Sequence, residues 1–328
     1  MALKIPFAKQ GFSTILKKKL SGANVSLEYD NMESPLVKVG VEISELIGLD
    51  LYNKICDGTV AKTLAVDAIP AHDDVPEVPA VVANDETELN ALLTDHLQSA
   101  MLNFGLYAHT IFLIAKIGND GITIKKGTEE TTIFKYQKDE LDNKLINDAW
   151  FWMNQLIKAL NENDAKIADW KDSDRKKEIA AVPVTFADFK KWVGVNSEYF
   201  MLNANWIIQE VWTECVLSRK KEATKTETIA RAVCYETMAR CCQRLSFYCL
   251  PENIRLEINN EMDSKNKKDL PEQYIREKVA TQFQLKADSY WRALDIELQN
   301  QAQTDTVSKA STQAYKPQGV KDSDAYAY

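Results

Sequence analysis

The sequence predicts a mainly α fold: a multi-helix bundle with one small β-hairpin and extended terminal arms. Three observations lead there. Glycine and proline are sparse, 11 and 9 in 328 residues, while Leu, Ala, Lys, Glu and Gln are abundant, a balance that favours helices. Apolar residues recur at spacings of three and four through most of the chain, the period of an amphipathic helix. Only around residues 120–136 does the pattern turn β-rich and glycine-bounded.

Three units follow from this patterning: a basic N-terminal arm at 1–32, a helical domain at 33–300, and a polar C-terminal tail at 301–328. Residues 1–20 carry Lys4, Lys9, Lys17, Lys18 and Lys19 with no acid, and lack the apolar core and cleavage site of a signal peptide. The first helix starts at Pro35 with Ser34 as N-cap, and Leu36, Val39, Ile43, Leu46 and Ile47 form its apolar face. Gly48 interrupts the stretch and Gly58 is a stop.

Residues 68–86 read as an acidic surface loop, with Pro70, Pro76 and Pro79 among Asp73, Asp74, Glu77, Asp85 and Glu86. Asp85 and Glu88 have capping-box spacing and open a long helix through Leu89, Leu93, Ala100, Phe104 and Ile111. Asn119-Asp120-Gly121 ends it, and Ile122–Gly127 with Thr131–Tyr136 read as a small β-hairpin or an extended excursion. A third long helix spans 138–162, its face marked by Leu141, Leu145, Ala149, Trp152, Met153, Leu156 and Leu160.

Turns and short helices fill 163–195, where Thr185 and Asp188 have capping-box spacing. Helices then occupy 197–219 and 225–249; the second carries Ala230, Cys234, Met238, Cys241, Leu245 and Tyr248, and is closed by Pro251. The last helix runs from 271 to 300 through Tyr274, Val279, Phe283 and Leu294, and the chain becomes polar and irregular from 301.

Several function classes lose support. A net charge of -8 argues against general nucleic-acid binding, which wants a basic surface. Met101–Ala115 is the most apolar later run, too short and too polar to span a bilayer, so no membrane contact is expected. The six cysteines (56, 215, 234, 241, 242 and 249) contain no Cys-x-x-Cys pair and read as small buried hydrophobes. His96 and His109 lie thirteen apart on one helix, about 20 Å of rise, and cannot share a metal, while His72 sits in the acidic loop.

No glycine-rich phosphate loop and no Gly-x-Ser-x-Gly elbow occurs. The acid pairs Asp73-Asp74 and Glu129-Glu130 read as solvated. Arg219-Lys220-Lys221 and Lys265, Lys267 and Lys268 read as helix-end and loop charge. Tryptophans 150, 152, 170, 192, 206, 212 and 291 serve packing, with some available to a subunit interface. The residues nominate no catalytic, cofactor-binding or metal site, and no cofactor.

The string Ile47-Gly48-Leu49-Asp50-Leu51-Tyr52-Asn53-Lys54-Ile55 resembles the first helical region of an uncharacterised family of structural proteins from phages and prophages of Bacteroidetes. That family is similar in layout to phage head–tail connector (adaptor) proteins. The likeness continues through the helix at 87–117, the Gly121-Ile122 turn, Trp150-Phe151-Trp152, the break from Trp170 to Ser173, and the helices at 197–219 and 225–249. The basic arm, acidic loop and polar tail have no counterpart in it.

The resemblance implies a non-enzymatic structural subunit of a homo-oligomeric ring, a dodecamer, at the head–tail interface of a virion assembled in the bacterial host cytoplasm. The implied partners are the portal protein and tail or other connector proteins, with transient contact to passing DNA. The alternative is a non-viral helical binding or scaffold module acting as a monomer or dimer. An enzyme would need a deep pocket joining His96 or His109 to buried carboxylates.

Overall fold

Helices make up nearly all the secondary structure of the computed structural model, which describes residues 2–20, 27–60, 87–118, 121–124, 135–220, 225–263 and 272–312. The chain is mainly α. In order the helices are α1 (Phe12–Lys19), α2 (Tyr29–Ile47), α3 (Leu49–Asp57), α4 (Thr87–Ile114), α5 (Lys135–Glu162) and α6 (Ala168–Lys171). They continue with α7 (Asp174–Ala180), α8 (Phe186–Val193), α9 (Glu198–Val211), α10 (Glu227–Arg244), α11 (Glu252–Asp263) and α12 (Glu272–Thr312). Among the described residues, no helix is long and apolar enough to cross a membrane.

The N-terminal segment is folded onto the domain rather than extended as an arm. Phe7, Phe12 and Leu16 are buried, and Phe12 meets Phe7 and Tyr29 edge-on at 5.7 and 5.5 Å between ring centroids. Burying a Phe or Leu side chain is worth about 1.5–3 kcal/mol, enough to hold a short helix down. Three of the segment's lysines have acidic partners, Asp30 within it and Asp57 and Asp95 beyond it. Lys9 pairs with Asp30 at 2.7 Å, Lys4 pairs with Asp57, and Lys19 pairs with Asp95 while donating to Ser99 Oγ at 2.9 Å.

Helix α2 starts upstream of Pro35, which lies inside it, so Ser34 is not an N-cap. Met32 explains the extension. It joins Leu36, Val39, Ile43 and Ile47 on one buried stripe, and that burial outweighs the hydrogen bond proline cannot donate. The stripe packs on α4. Gly48, at φ 92° and ψ 134°, breaks the chain between α2 and α3, a conformation that residues with a Cβ rarely adopt. Leu51, Tyr52 and Ile55 then turn inward, and Gly58 closes α3 in the left-handed region.

The acidic loop at 68–86 and the proposed Asp85 cap lie outside the described residues. The hairpin expected over 120–136 is not supported. Strand β2 (Gly121–Ile124) pairs antiparallel with β1 (Ala115–Gly118), upstream of that span, and Lys135 and Tyr136 open α5 instead of ending a second strand. Pairing with the nearest preceding segment closes the shorter loop, which costs less entropy. Residues 125–134 lie outside the described set.

Helices α4 and α5 pack along their length, and α5 leans on α9. Leu145, Ala149, Met153, Leu156 and Leu160 are buried on α5, whereas Leu141 is exposed. Short helices fill the next stretch, as the broken pattern predicts. Asp188 accepts from the Thr185 N–H at 2.7 Å and from its hydroxyl at 2.9 Å, completing the N-terminal turn of α8. Helix α9 passes into a π-helical turn over Trp212–Leu217.

Helices α10 and α12 form the most extensive helix pair. Cys234, Met238 and Cys241 on α10 and Ile275, Val279, Ala287, Trp291 and Leu294 on α12 are all buried in one continuous core, and Ala230 is buried as well. Three sequence expectations change here. Pro251 opens α11 rather than only closing the preceding helix, since its carbonyl accepts the N–H of Ile254 and of Arg255, both at 3.0 Å. Tyr274 lies on the exposed side of α12, whose inward stripe starts at Ile275, and the helix continues through the expected tail to Thr312.

Candidate functional site

A cleft of about 360 Å³ opens where α5, the start of α9 and the start of α11 meet. Helix α5 supplies Asn147, Trp150, Phe151 and Asn154; the segment before α9 supplies Gly194, Asn196 and Ser197; Pro251, Glu252, Asn253 and Arg255 come from α11 and its lead-in. Local chemistry fixes each wall. Ser197 Oγ accepts the Phe200 N–H at 3.0 Å and caps α9, and Asn154 Oδ1 accepts both the Ser197 hydroxyl at 2.9 Å and the Tyr199 N–H at 3.0 Å. Ile254 and Ile258 bury the inner face of α11 and carry Arg255 inward beside them.

Arg255 dominates the electrostatics. It is 3% exposed, and its guanidinium lies 5.3 Å from the Trp150 ring centroid. One Nη donates to Asn147 Oδ1, and the Asn147 amide donates in turn to Glu252 Oε1 at 2.7 Å, so Glu252 reaches the arginine through one intervening amide. The other terminal nitrogen, Nη1, is buried and has no hydrogen-bond partner. Burial pulls the guanidinium pKa down to about 10, with the Glu252 charge opposing, so the group stays cationic at neutral pH. What the cleft offers is a set of donors: a buried guanidinium N–H and the side-chain amides of Asn196 and Asn253.

The residues weighed from sequence lie elsewhere. His96, on α4, sits against Trp152 at 5.4 Å, and its buried Nδ1 has no partner. Burial lowers its pKa, and burial also lowers that of His109. Neither histidine lines the Arg255 cleft, and His72 lies outside the described residues. Among the described residues, no three His, Cys, Asp or Glu side chains are placed to hold a metal. All six cysteines are free thiols; Cys234, Cys241 and Cys242 are buried, and burial raises their pKa values.

The buried carboxylate of Glu236 belongs to an ion network between α10 and α12. It accepts from Arg240 Nε at 3.0 Å, Gln284 Nε2 at 2.7 Å and Trp291 Nε1 at 3.4 Å. Arg219 pairs with Asp295 at 3.2 Å and covers Trp291, which places this member of the basic cluster within the fold, while Lys221 lies outside the described residues. The acid pairs Asp73-Asp74 and Glu129-Glu130, and Lys265, Lys267 and Lys268, lie outside the described residues.

A protein-family model matches residues 43–179 and 196–313, more than half of the chain. The chain belongs to the DUF6712 family, a family of unknown function. No curated protein and no solved structure matches it. The DUF6712 match takes in Arg255, Asn147, Trp150, Asn154 and Asn196, so most of the cleft lies within the family's own segments.

Sequence reading alone passes over Arg255 because Pro251 reads as a stop. The available signal is the spacing Pro251, Ile254, Arg255, Ile258, which puts a cation on an apolar helix face once a helix is recognised there.

Proposed function

We propose that this DUF6712 protein is a structural virion subunit that assembles with copies of itself into a ring at the head–tail interface, between portal and tail. The observation that carries the reading is on α12. Tyr274, Leu285 and Ile296 are 55%, 66% and 58% exposed. Their eleven-residue spacing is close to three whole helical turns, so they lie on one side of α12 over about 33 Å, with the polar Thr281 and Arg292 between them. Three large exposed apolar side chains on one side of a long helix give a neighbouring subunit three separate anchor points in a polar surround.

In a ring the contact is heterologous, so this side meets a different face of the next copy. Val37 and Val41, 38% and 41% exposed and one turn apart on α2, offer such a face. Contacts with portal and tail proteins, and passage of DNA through an acidic channel, follow from the same reading, consistent with the net charge of -8. A helical scaffold module, monomeric or dimeric, is the competing reading.

Electron microscopy of the purified protein, alone and mixed with portal protein, together with antibody labelling of virions, tests the proposal. Ring-shaped particles and label at the capsid neck are expected. Isolated subunits in both samples with an unlabelled neck would favour the scaffold module.

A further inference from the structure

Among the described residues, two cations besides Arg255 with largely covered side chains are matched with acids. Lys19, whose side chain is 9% exposed, pairs with Asp95. Arg240, at 20%, pairs with Glu210, Glu214 and Glu236. Arg255 is more deeply buried than Arg240, yet among the described residues it forms no ion pair, and its Nη1 has no hydrogen-bond partner. A buried guanidinium without an acid is costly, and a carboxylate is the group whose geometry answers its fork of donors.

We propose that the Arg255 cleft is a receptor for a carboxylate, presented by an aspartate or glutamate within a segment of a partner polypeptide. This inference does not depend on the ring reading. Two helix N-termini, those of the fourteen-residue α9 and the twelve-residue α11, converge on the cleft and add positive potential where the anion sits. Asn196 and Asn253, both exposed on its walls, supply amide donors to the second carboxylate oxygen or to the guest backbone.

Phe151, 53% exposed on the same wall, gives an apolar contact to a residue flanking the acid, which favours a peptide over a free anion. Glu252 has a defined role: bonded to Asn147 and facing the cleft, it opposes the incoming charge and holds the affinity down.

The test uses the full chain and two pools of end-blocked pentapeptides, one with a fixed central glutamate and one with glutamine there. Binding is read from the indole N–H resonance of Trp150, which Arg255 covers and which donates to the Tyr248 carbonyl at 2.9 Å. A Trp150→Phe variant assigns the signal. The glutamate pool is expected to shift the resonance saturably, with the glutamine pool about tenfold weaker.

Arg255→Lys keeps the charge and loses the fork, and binding is expected to fall. Asn253→Asp, an exposed change that leaves the fold intact, is expected to abolish binding, and Glu252→Gln to tighten it severalfold. Equal responses to the two pools, no response to either, or unchanged binding by Asn253→Asp would overturn the proposal. Glutarate binding as tightly as the glutamate pool would overturn the peptide assignment in favour of a small free carboxylate.

Discussion

At the scale of single residues, Gly40 measures how closely α2 and α3 approach. A Cβ built on it would lie 2.7 Å from the Tyr52 hydroxyl and 3.4 Å from side-chain carbons of Leu3 and Met101. Tyr52 is fully buried, with its hydroxyl directed to Met101 Sδ at 3.4 Å, so it cannot swing into solvent. Gly40→Ala is therefore expected to cost about 1–3 kcal/mol by overpacking, read as a lower urea midpoint with unchanged m. Adding Tyr52→Phe removes the blocking oxygen and is expected to return part of that loss.

His96 makes a second residue-scale prediction, in pH. Burial holds its pKa below the ordinary 6.5, with Asp95 opposing and Lys19 reinforcing the shift. The unfolded chain thus binds more protons than the folded one below that value, and stability falls as the pH drops through it. Urea unfolding from about pH 8 to about pH 5 is expected to show this decline, and His96→Phe to flatten it, with His109 keeping a remainder of the slope.

At the scale of elements, Pro35 sets two rules against each other. A proline inside a helix forfeits a hydrogen bond and crowds the preceding turn, yet α2 continues past it because Met32 and Leu36 are buried on either side. Pro35→Ala is expected to raise unfolding free energy by about 1–2 kcal/mol, the recovered helix geometry outweighing the added freedom of the unfolded chain. Unchanged or lowered stability would mean that the ring itself packs usefully.

The same element explains what was legible in the sequence. The Leu36–Val39–Ile43 stripe, the Gly48 break and the Thr185–Asp188 cap are local, so periodicity and spacing reveal them. The start of α2 was not legible, because the proline rule is local and the burial of Met32 is not. Pro251 misled in the same way: it serves as well before a helix as after one, and only the inward faces of Ile254 and Ile258 decide. The Arg255 cleft joins residues more than a hundred positions apart, a contact no spacing rule reaches.

At the scale of the whole molecule, one continuous core takes in the N-terminal helix and the last helix alike. The packed N-terminal segment shows the same limit of sequence reading. Lys19 and Asp95 are 76 positions apart, so five lysines among twenty residues read as a basic arm although three of them are paired in the fold. The exposed side of α12 was also hidden, because Tyr274 fits an apolar helical pattern equally well facing in or out. Exposure, not pattern, separates an interface from a core, and the proposed ring rests on that side.

The most direct test is native mass measurement of the wild-type chain beside a Leu285→Glu/Ile296→Glu variant. The two side chains are 66% and 58% exposed, so the variant is expected to fold with the same urea midpoint as the wild type, within about 0.5 kcal/mol. The expected result is a closed multi-subunit species for the wild type and a folded monomer for the variant. Monomers for both proteins, alone and with portal protein present, or an intact ring in the variant, would contradict assembly through α12.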